Sequence, residues 1–427
     1  MAAGGAKTFV QFGISLVPAT ERLDRNRELA RVADDAGLDL VGIQDHPYQH
    51  HFLDTWSLIP TLLAETNRIS FFTDVANLPL RPPAVMAKAA ASLDVLSGGR
   101  FELGLGAGGL PDPIANFGGP RRTPGESVEA LDEAIDVIRL LWSDERSVSF
   151  EGKHYRLNDA RPGPQPAHAI GIWVGAFKPR MIRLVGRKAD GWLPSLGVLT
   201  RDELRAGNEQ IDAAAEKAGR DPGSIRRILN VQGLIGEGRA PSRSELPVGY
   251  LAGEPLAGSV DWWVETLAGF VDDGFDTLVF WPVDVVPGQV ELLAGEVMPH
   301  LRRPVPDQPR LIIEVPRGSA VDRQLSAQGL RSVASGDIVV EVAPTDAEGN
   351  LEAPAAGQVV LSVPSPEALQ REAAEVRRVI GRAGTGVEPL VVVVEAAEEV
   401  RKDELAPVLD AAGHTSRAVI LRIIRGT

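Results

Sequence analysis

Three stretches of this chain hold residues whose types and spacing suit chemistry. The apolar run Leu40-Val41-Gly42-Ile43 ends on Gln44-Asp45-His46. A histidine there, with an ordinary pKa near ~6.5, exchanges a proton at neutral pH. Gly98-Gly99 opens the second stretch, in which Phe101, Leu103 and Leu105 alternate with Glu102, Gly104 and Gly106 before Ala107-Gly108-Gly109. Period-two alternation reads as a strand, and a glycine tip without Cβ atoms lets a planar ligand reach the backbone. The third stretch, Gly175-Ala176-Phe177-Lys178-Pro179-Arg180, exposes N–H groups at small residues just where Pro179 starts a helix. Such a helix start, with Lys178 beside it, favours an anion such as phosphate; the plainer reading is a strand-to-helix turn with solvated basic residues.

Each stretch has a competing explanation. Gly104, Gly106 and Gly109 satisfy the G-x-G-x-x-G spacing of a dinucleotide fold, which demands a helix starting at the glycines. Leu110-Pro111-Asp112-Pro113 and Gly118-Gly119-Pro120 follow instead, so no helix is expected before about Glu126, and a barrel strand meeting a ligand at its tip is the better account. An arbitrary histidine is more often satisfied by a backbone carbonyl, but the end of a barrel strand favours a chemical role for His46. His50 and His51 form a second imidazole cluster. A metal needs further ligands in fixed geometry, so a pocket rim or plain surface is preferred for His50, and no metal is assigned.

Apolar periodicity supplies the elements that would position these stretches. Strands are expected at Phe9–Leu16, Leu40–His46, Ile69–Val75, through Phe101–Gly106, and at Ile170–Gly175, Gly191–Pro194, Ile228–Ile235 and Thr277–Pro282. Helices are expected at Arg22–Ala36, Trp56–Glu65, Pro83–Leu96, Glu126–Trp142, Pro179–Lys188, Arg201–Ala218, Val260–Asp273 and Gln289–Leu301. A hairpin at Val148–Leu157 interrupts the alternation after the fourth helix. Eight strand–helix units imply an α/β fold, a TIM (β/α)8 barrel with one insertion, whose active site lies at the C-terminal strand ends. Those ends select Asp45, His46, Asp74, Val75, Ala76, Asn77, Gly106, Ala107, Gly108, Asp112, Gly175, Ala176, Phe177, Lys178, Trp192, Phe280 and Trp281. Few are strong nucleophiles or paired carboxylates, which disfavours hydrolysis; many suit the grip of a planar ring.

The barrel is expected over residues 8–303 and a semi-rigid proline linker over 304–309. Residues 310–427, free of Phe, Tyr and Trp, read as a small separate α/β domain with strands at Gln358–Val363, Leu390–Val394 and Val419–Ile424. Helices are expected there at Pro366–Ile380 and Glu395–Ala412. The chain has 427 residues, a net charge of -14 and no cysteine. That charge argues against nucleic acid, the lack of a long apolar run argues against a membrane span, and the absent thiols exclude thiolate catalysis. A cytoplasmic enzyme acting on small molecules fits.

Taken together, Gln44-Asp45-His46, Thr73 to Asn77, Ser97 to Gly108, Trp173-Val174-Gly175-Ala176 and Ala189-Asp190-Gly191-Trp192 resemble the luciferase-like monooxygenase superfamily, in order, from about Phe9 to Leu301. The resemblance implies a flavin-type redox enzyme using coenzyme F-420 or FMN. It implies an Asp45-His46 pair facing the cofactor ring, a cis peptide at Asp74-Val75, and cofactor contacts along the strand ends named above, with Trp192 among them. His50, as a pocket rim, and the strand-end residues Phe280 and Trp281 are the candidates for the substrate pocket. FMN enzymes of this group more often carry Glu-His-His where this chain has Asp45-His46-Pro47, so F-420 is preferred and FMN is the alternative. The sugar-phosphate dehydrogenases of the group carry a glutamate just after the glycine tip, where this chain has Gly109, and a tryptophan near His50. Both departures argue against a glucose-6-phosphate-type substrate and leave Asp112 as the nearest acid. The leading expectation is hydride transfer between a deazaflavin and a small organic substrate. The alternatives are an FMNH2-dependent monooxygenase and a non-catalytic binding protein on a degenerate barrel. Helices around Glu65 and Ser92 are the expected face for a homodimer.

Overall fold

The computed structural model describes residues 10–246, 249 and 251–302, together with the backbones of six later strands. The chain divides into two compact units, Met1–Arg303 and Pro304–Thr427.

The first unit begins β1 (Gln11–Leu16), α1 (Leu23–Asp35), β2 (Leu40–Ile43), α2 (Thr55–Ala64), β3 (Ser70–Thr73), β4 (Ala76–Asn77) and α3 (Pro83–Ser97). It continues with β5 (Phe101–Gly106), α4 (Pro111–Asn116), α5 (Pro124–Leu141), β6 (Val148–Glu151), β7 (Arg156–Ala160), β8 (Ile172–Val174), α6 (Pro179–Lys188), β9 (Gly191–Trp192) and α7 (Arg201–Lys217). It closes with β10 (Arg226–Ile235), β11 (Leu256–Gly258), α8 (Val260–Asp272), β12 (Thr277–Pro282), α9 (Pro287–Leu292) and α10 (Met298–Leu301). Strands β1, β2, β3, β5, β8, β9, β10 and β12 pair in parallel in that order, and β12 returns to β1, so the barrel is closed. The insertion after α5 is the antiparallel hairpin of β6 and β7.

Strand alternation sorts the side chains into two cores. Leu40, Phe72, Trp173, Leu193, Ile228, Val279 and Trp281 plug the barrel interior. Phe12, Ile14, Leu103, Leu105, Val174, Trp192 and Phe280 belong to the larger core beneath the helices. Full burial contributes about 1.5–3 kcal/mol for a side chain such as Phe or Leu. Helix ends follow sequence rules: Thr123 with Glu126, and Thr200 with Glu203, form capping boxes on α5 and α7. Gly98, in the left-handed region at φ 70°, closes α3.

Charged side chains fasten the N-terminal ends of the strands. The Asp34 carboxylate accepts the N–H groups of Asn67, Arg68 and Ile69 at 2.7, 3.0 and 2.7 Å. Arg100 donates to the carbonyls of Leu63 and Ile69 at 2.8 and 3.0 Å. His168 lies between Asp94 and Glu102, with ring nitrogens 2.7 and 3.2 Å from their oxygens.

Four local expectations need correction. Strand β2 stops at Ile43, so Gln44, Asp45 and His46 start a loop rather than end a strand. The third strand breaks at Asp74-Val75, whose peptide is cis, and resumes as β4 beside β5. A six-residue helix, α4, starts at Pro111, because proline at the first helical position loses no hydrogen bond. Between α9 and α10 the helix widens into a π turn at Leu293–Val297.

In the second unit, β13 (Arg310–Pro316), β14 (Ser332–Ser335), β15 (Ile338–Thr345), β16 (Val360–Val363), β17 (Leu390–Ala396) and β18 (Ala418–Arg425) form one sheet in the order β14-β15-β13-β18-β17-β16. All pairings are parallel except β14 with β15. Strands β16 to β18 coincide with the sequence expectation, whereas β13 to β15 were not expected. The helices expected at Pro366–Ile380 and Glu395–Ala412 fall outside the described residues, except that Glu395 and Ala396 end β17. Among the described residues no helix is long and apolar enough to cross a membrane.

Candidate active site

The loop after β2 presents His46. Its Nδ1 lies 2.8 Å from Tyr48 Oη, and its ring faces those of Tyr48 and Phe52 at 5.6 and 6.5 Å. Burial lowers the His46 pKa, so the imidazole is neutral at pH 7. Asp45, beside it in sequence, does different work. Its Oδ2 accepts the backbone N–H of Asn77 at 2.9 Å and the Trp56 indole N–H at 3.3 Å. Burial raises the Asp45 carboxyl and these two donors oppose the rise. Asp45 thus fastens the end of β2 to β4 and α2. Gln44 reaches the other way, donating to the Gly249 carbonyl at 2.5 Å.

Above the apolar plug lies a polar layer centred on Asp74. Its Oδ2 accepts from Ser15 Oγ at 2.9 Å and its Oδ1 from Asn230 Nδ2 at 3.1 Å. Trp281 Nε1 donates to Asn230 Oδ1 at 3.2 Å. Asp74 is buried, and burial pushes its carboxyl up to about 6 against the hydrogen bonds from Asn230, Ser15 and Trp281. The layer joins β1, β10 and β12 to the end of β3.

The glycine tip is shaped by its neighbours. A Cβ at Gly106 would lie 2.6 Å from Val75 Cγ2, and one at Gly175 would lie 3.4 Å from the same methyl. The missing side chain at Gly106 therefore accommodates Val75 first. Gly108, at φ +88°, would bring a Cβ within 2.5 Å of Pro79 and 2.9 Å of Ile114. Ala76 and Asn77 are buried in β4, and Ala107 is half-buried against the core. Gly175 and buried Ala176 lead from β8 to exposed Phe177 and to Lys178, which precedes Pro179 at the start of α6. The N–H groups of that first turn suit an anion.

Three expected contacts do not converge on this mouth. Trp192 is fully buried under α7, where a Cβ at Gly207 would lie 2.3 Å from its ring, and its Nε1 donates to the Ala176 carbonyl at 2.9 Å. Phe280 packs edge-on against Trp263 at 5.5 Å, on the helix side of β12. Adjacent strand residues face opposite ways, so only Trp281 of that pair enters the barrel. Asp112 is exposed on α4 and paired with Arg121. His50 is exposed, its ring 4.9 Å from that of His51. Among the described residues no group of three or more His, Asp or Glu stands ready to hold a metal ion.

Tyr48, Ser15 and Asn230 were not expected. Asn230 and Gln232 had a signal, as alternate polar residues in the otherwise apolar run from Ile228 to Ile235. A cleft of about 290 Å³ beside the mouth is lined by Leu196, Val198, Thr200, Gln232, Glu254 and Leu256. The residues present fit a planar heterocycle of the flavin type. Asn77 Oδ1 and Gln44 Oε1 are buried at strand ends without a hydrogen-bond partner, and a ring N–H is the donor such oxygens take.

Comparison with known proteins agrees with this geometry. The sequence pattern of the luciferase-like monooxygenases matches residues 5–266. The F-420-dependent glucose-6-phosphate dehydrogenase of Kineococcus radiotolerans is 30% identical over 321 residues, spanning 64% of this chain and 92% of that enzyme. The F-420-dependent hydroxymycolic acid dehydrogenase of Mycobacterium tuberculosis is 34% identical over 243 residues, spanning 54% of this chain and 65% of that one. A solved F-420-dependent secondary alcohol dehydrogenase, complexed with an F-420–acetone adduct, shares the fold with a TM-score of 0.61 at 18% identity, over 69% of this chain and 99% of its own. With a closed parallel barrel and a sequence match over more than half its length, the chain belongs to the luciferase-like monooxygenase family.

Proposed function

We propose that this chain is a coenzyme F-420-dependent oxidoreductase that moves a hydride between the deazaflavin and a small organic substrate. The observation that carries the reading is a half-buried His46, in the loop after β2, at the C-terminal mouth of a barrel whose relatives are F-420-dependent dehydrogenases. A bound deazaflavin supplies a ring carbon that gives or accepts the hydride. His46 moves the accompanying proton to or from the substrate oxygen at a ring nitrogen. Asn77 Oδ1 would accept from a ring N–H, Val75, seated against Gly106, would line the ring face, and the backbone from Gly175 to Pro179 would hold a phosphate of the cofactor. Leu196, Gln232 and Leu256 border the cleft open to the rest of the substrate.

A cytoplasmic homodimer is part of the same reading. Its support is α3, which exposes Val85, Val95 and Leu96 on the expected pairing face.

Titration with F-420 and with FMN, followed by a substrate screen read at the deazaflavin absorbance, tests the function. Tight FMN binding with F-420 refused would overturn it. His46→Ala should lower turnover by about 10² or more with cofactor affinity nearly kept.

A further inference from the structure

The loop after β2 contains a second proton-bearing group that sequence reasoning passed over. His46 Nδ1 and Tyr48 Oη are 2.8 Å apart, and the ring planes are tilted by 49°. Burial, and then the charge of Asp45, push the Tyr48 hydroxyl up to about 12, so it keeps its proton at neutral pH. The neutral imidazole holds one proton and accepts at its other nitrogen. An imidazole nitrogen is far more basic than a phenol oxygen, so Tyr48 donates and Nδ1 accepts.

We propose that Tyr48 is a positioning residue that fixes the neutral His46 ring with its proton on Nε2, set to donate to a carbonyl oxygen of the substrate. The inference rests on the reading of His46 as the residue that exchanges the substrate proton. A ring in this form offers its N–H to a carbonyl oxygen, the proton transfer of carbonyl reduction by the reduced deazaflavin; run backwards, from the Nδ1–H tautomer with Tyr48 ionised, the same relay takes the proton of an alcohol at Nε2. As the carbonyl carbon receives the hydride, the π pair of the C=O bond moves to oxygen. That oxygen takes the Nε2 proton while the Tyr48 O–H proton passes to Nδ1. The phenolate then recovers its proton from Nδ1 as water reprotonates Nε2. An alkoxide is a stronger base than a phenolate, so the transfer runs downhill; the hydroxide left by that water is neutralised by the proton that leaves the deazaflavin on its oxidation, so hydride and net proton both come from the reduced cofactor.

Heteronuclear NMR of the full chain with nitrogen-labelled histidine, without cofactor, reads the tautomer from the two ring-nitrogen shifts, and His46→Gln identifies the signal. A ring protonated at Nε2 in the wild type, and a mixture of tautomers in Tyr48→Phe, is the expected result. A ring protonated at Nδ1 in the wild type, or the same ring in both proteins, overturns the inference. Tyr48→Phe removes only a hydroxyl, and an unchanged melting curve checks that it folds. It should slow carbonyl reduction about tenfold or more with KM nearly kept, and full kcat in this variant also counts against the proposal. Full turnover in His46→Ala would instead sink the reading of His46 while leaving the tautomer result standing, so the two failures are distinguishable.

Discussion

The carbonyl oxygen of Thr73 lies where a side chain at Gly104 would begin: a Cβ there would be 1.8 Å from it. Thr73 Oγ1 in turn donates to the Gly104 carbonyl at 2.6 Å, so the end of β3 and the middle of β5 are clasped at close quarters. Gly104→Ala is therefore expected to push β3 away from β5. Overpacking typically costs about 1–3 kcal/mol, and a contact with rigid backbone belongs at or beyond the upper end. Thermal melting of the variant checks this; a wild-type curve would mean the strands separate freely.

Asp74 should give the barrel a pH signature. Its carboxyl titrates at about 6 in the fold against an ordinary 3.8, because burial disfavours the charge. The folded state holds that proton more tightly, so the contribution to stability is complete below the unfolded value and is lost as pH rises through about 6. Two units correspond to about 3 kcal/mol across this window. In Asp74→Asn the loss should vanish. Urea denaturation of both proteins at either end of the window reads the difference, and parallel behaviour would assign the titration elsewhere.

His168 predicts a trend at higher pH. Burial alone would lower its pKa, but hydrogen bonds and charge from Asp94 and Glu102 outweigh that and raise it to about 10. Since the folded value is the higher one, the tie is fully present below about 6.5 and fades as pH rises toward 10. His168→Ala should melt several degrees lower than wild type at pH 6 and converge on it near pH 10. A constant gap at both pH values would point to lost packing instead of lost charge.

The division at Arg303 invites truncation. The eight strands and their helices are complete by Leu301, so a chain ending near Pro306 should stay monodisperse and bind F-420 as the full chain does. Sedimentation and cofactor titration compare the two. Aggregation or lost binding in the shorter chain would make the second unit integral to the first.

The barrel was legible because its strands are short apolar runs separated by helices with clear starts and stops. Its facing was less so. A TIM strand is buried on both sides, so polarity does not say which residues look inward, and Trp192 and Phe280 were both assigned to the mouth for that reason. Where polar residues interrupt an apolar strand, as at Ser15 and Asn230, the inward face is readable after all. Tyr48 had no such signal, since a loop has no period and only the fold brings its hydroxyl to His46. The roles of Asp45 and Gly106 were hidden in the same way. Each meets a segment about thirty residues distant in sequence, Asn77 and Val75, and no local pattern encodes that pairing.

The anchors at Asp34, Arg100 and His168 all sit at the strand starts, while His46, Asp74 and Asn77 sit beyond or near the strand ends. Inheritance can thus act on the two ends of one scaffold separately. Drift in the mouth loops can exchange one substrate for another without loosening the base, and a lineage of such chains can diversify in chemistry while remaining foldable.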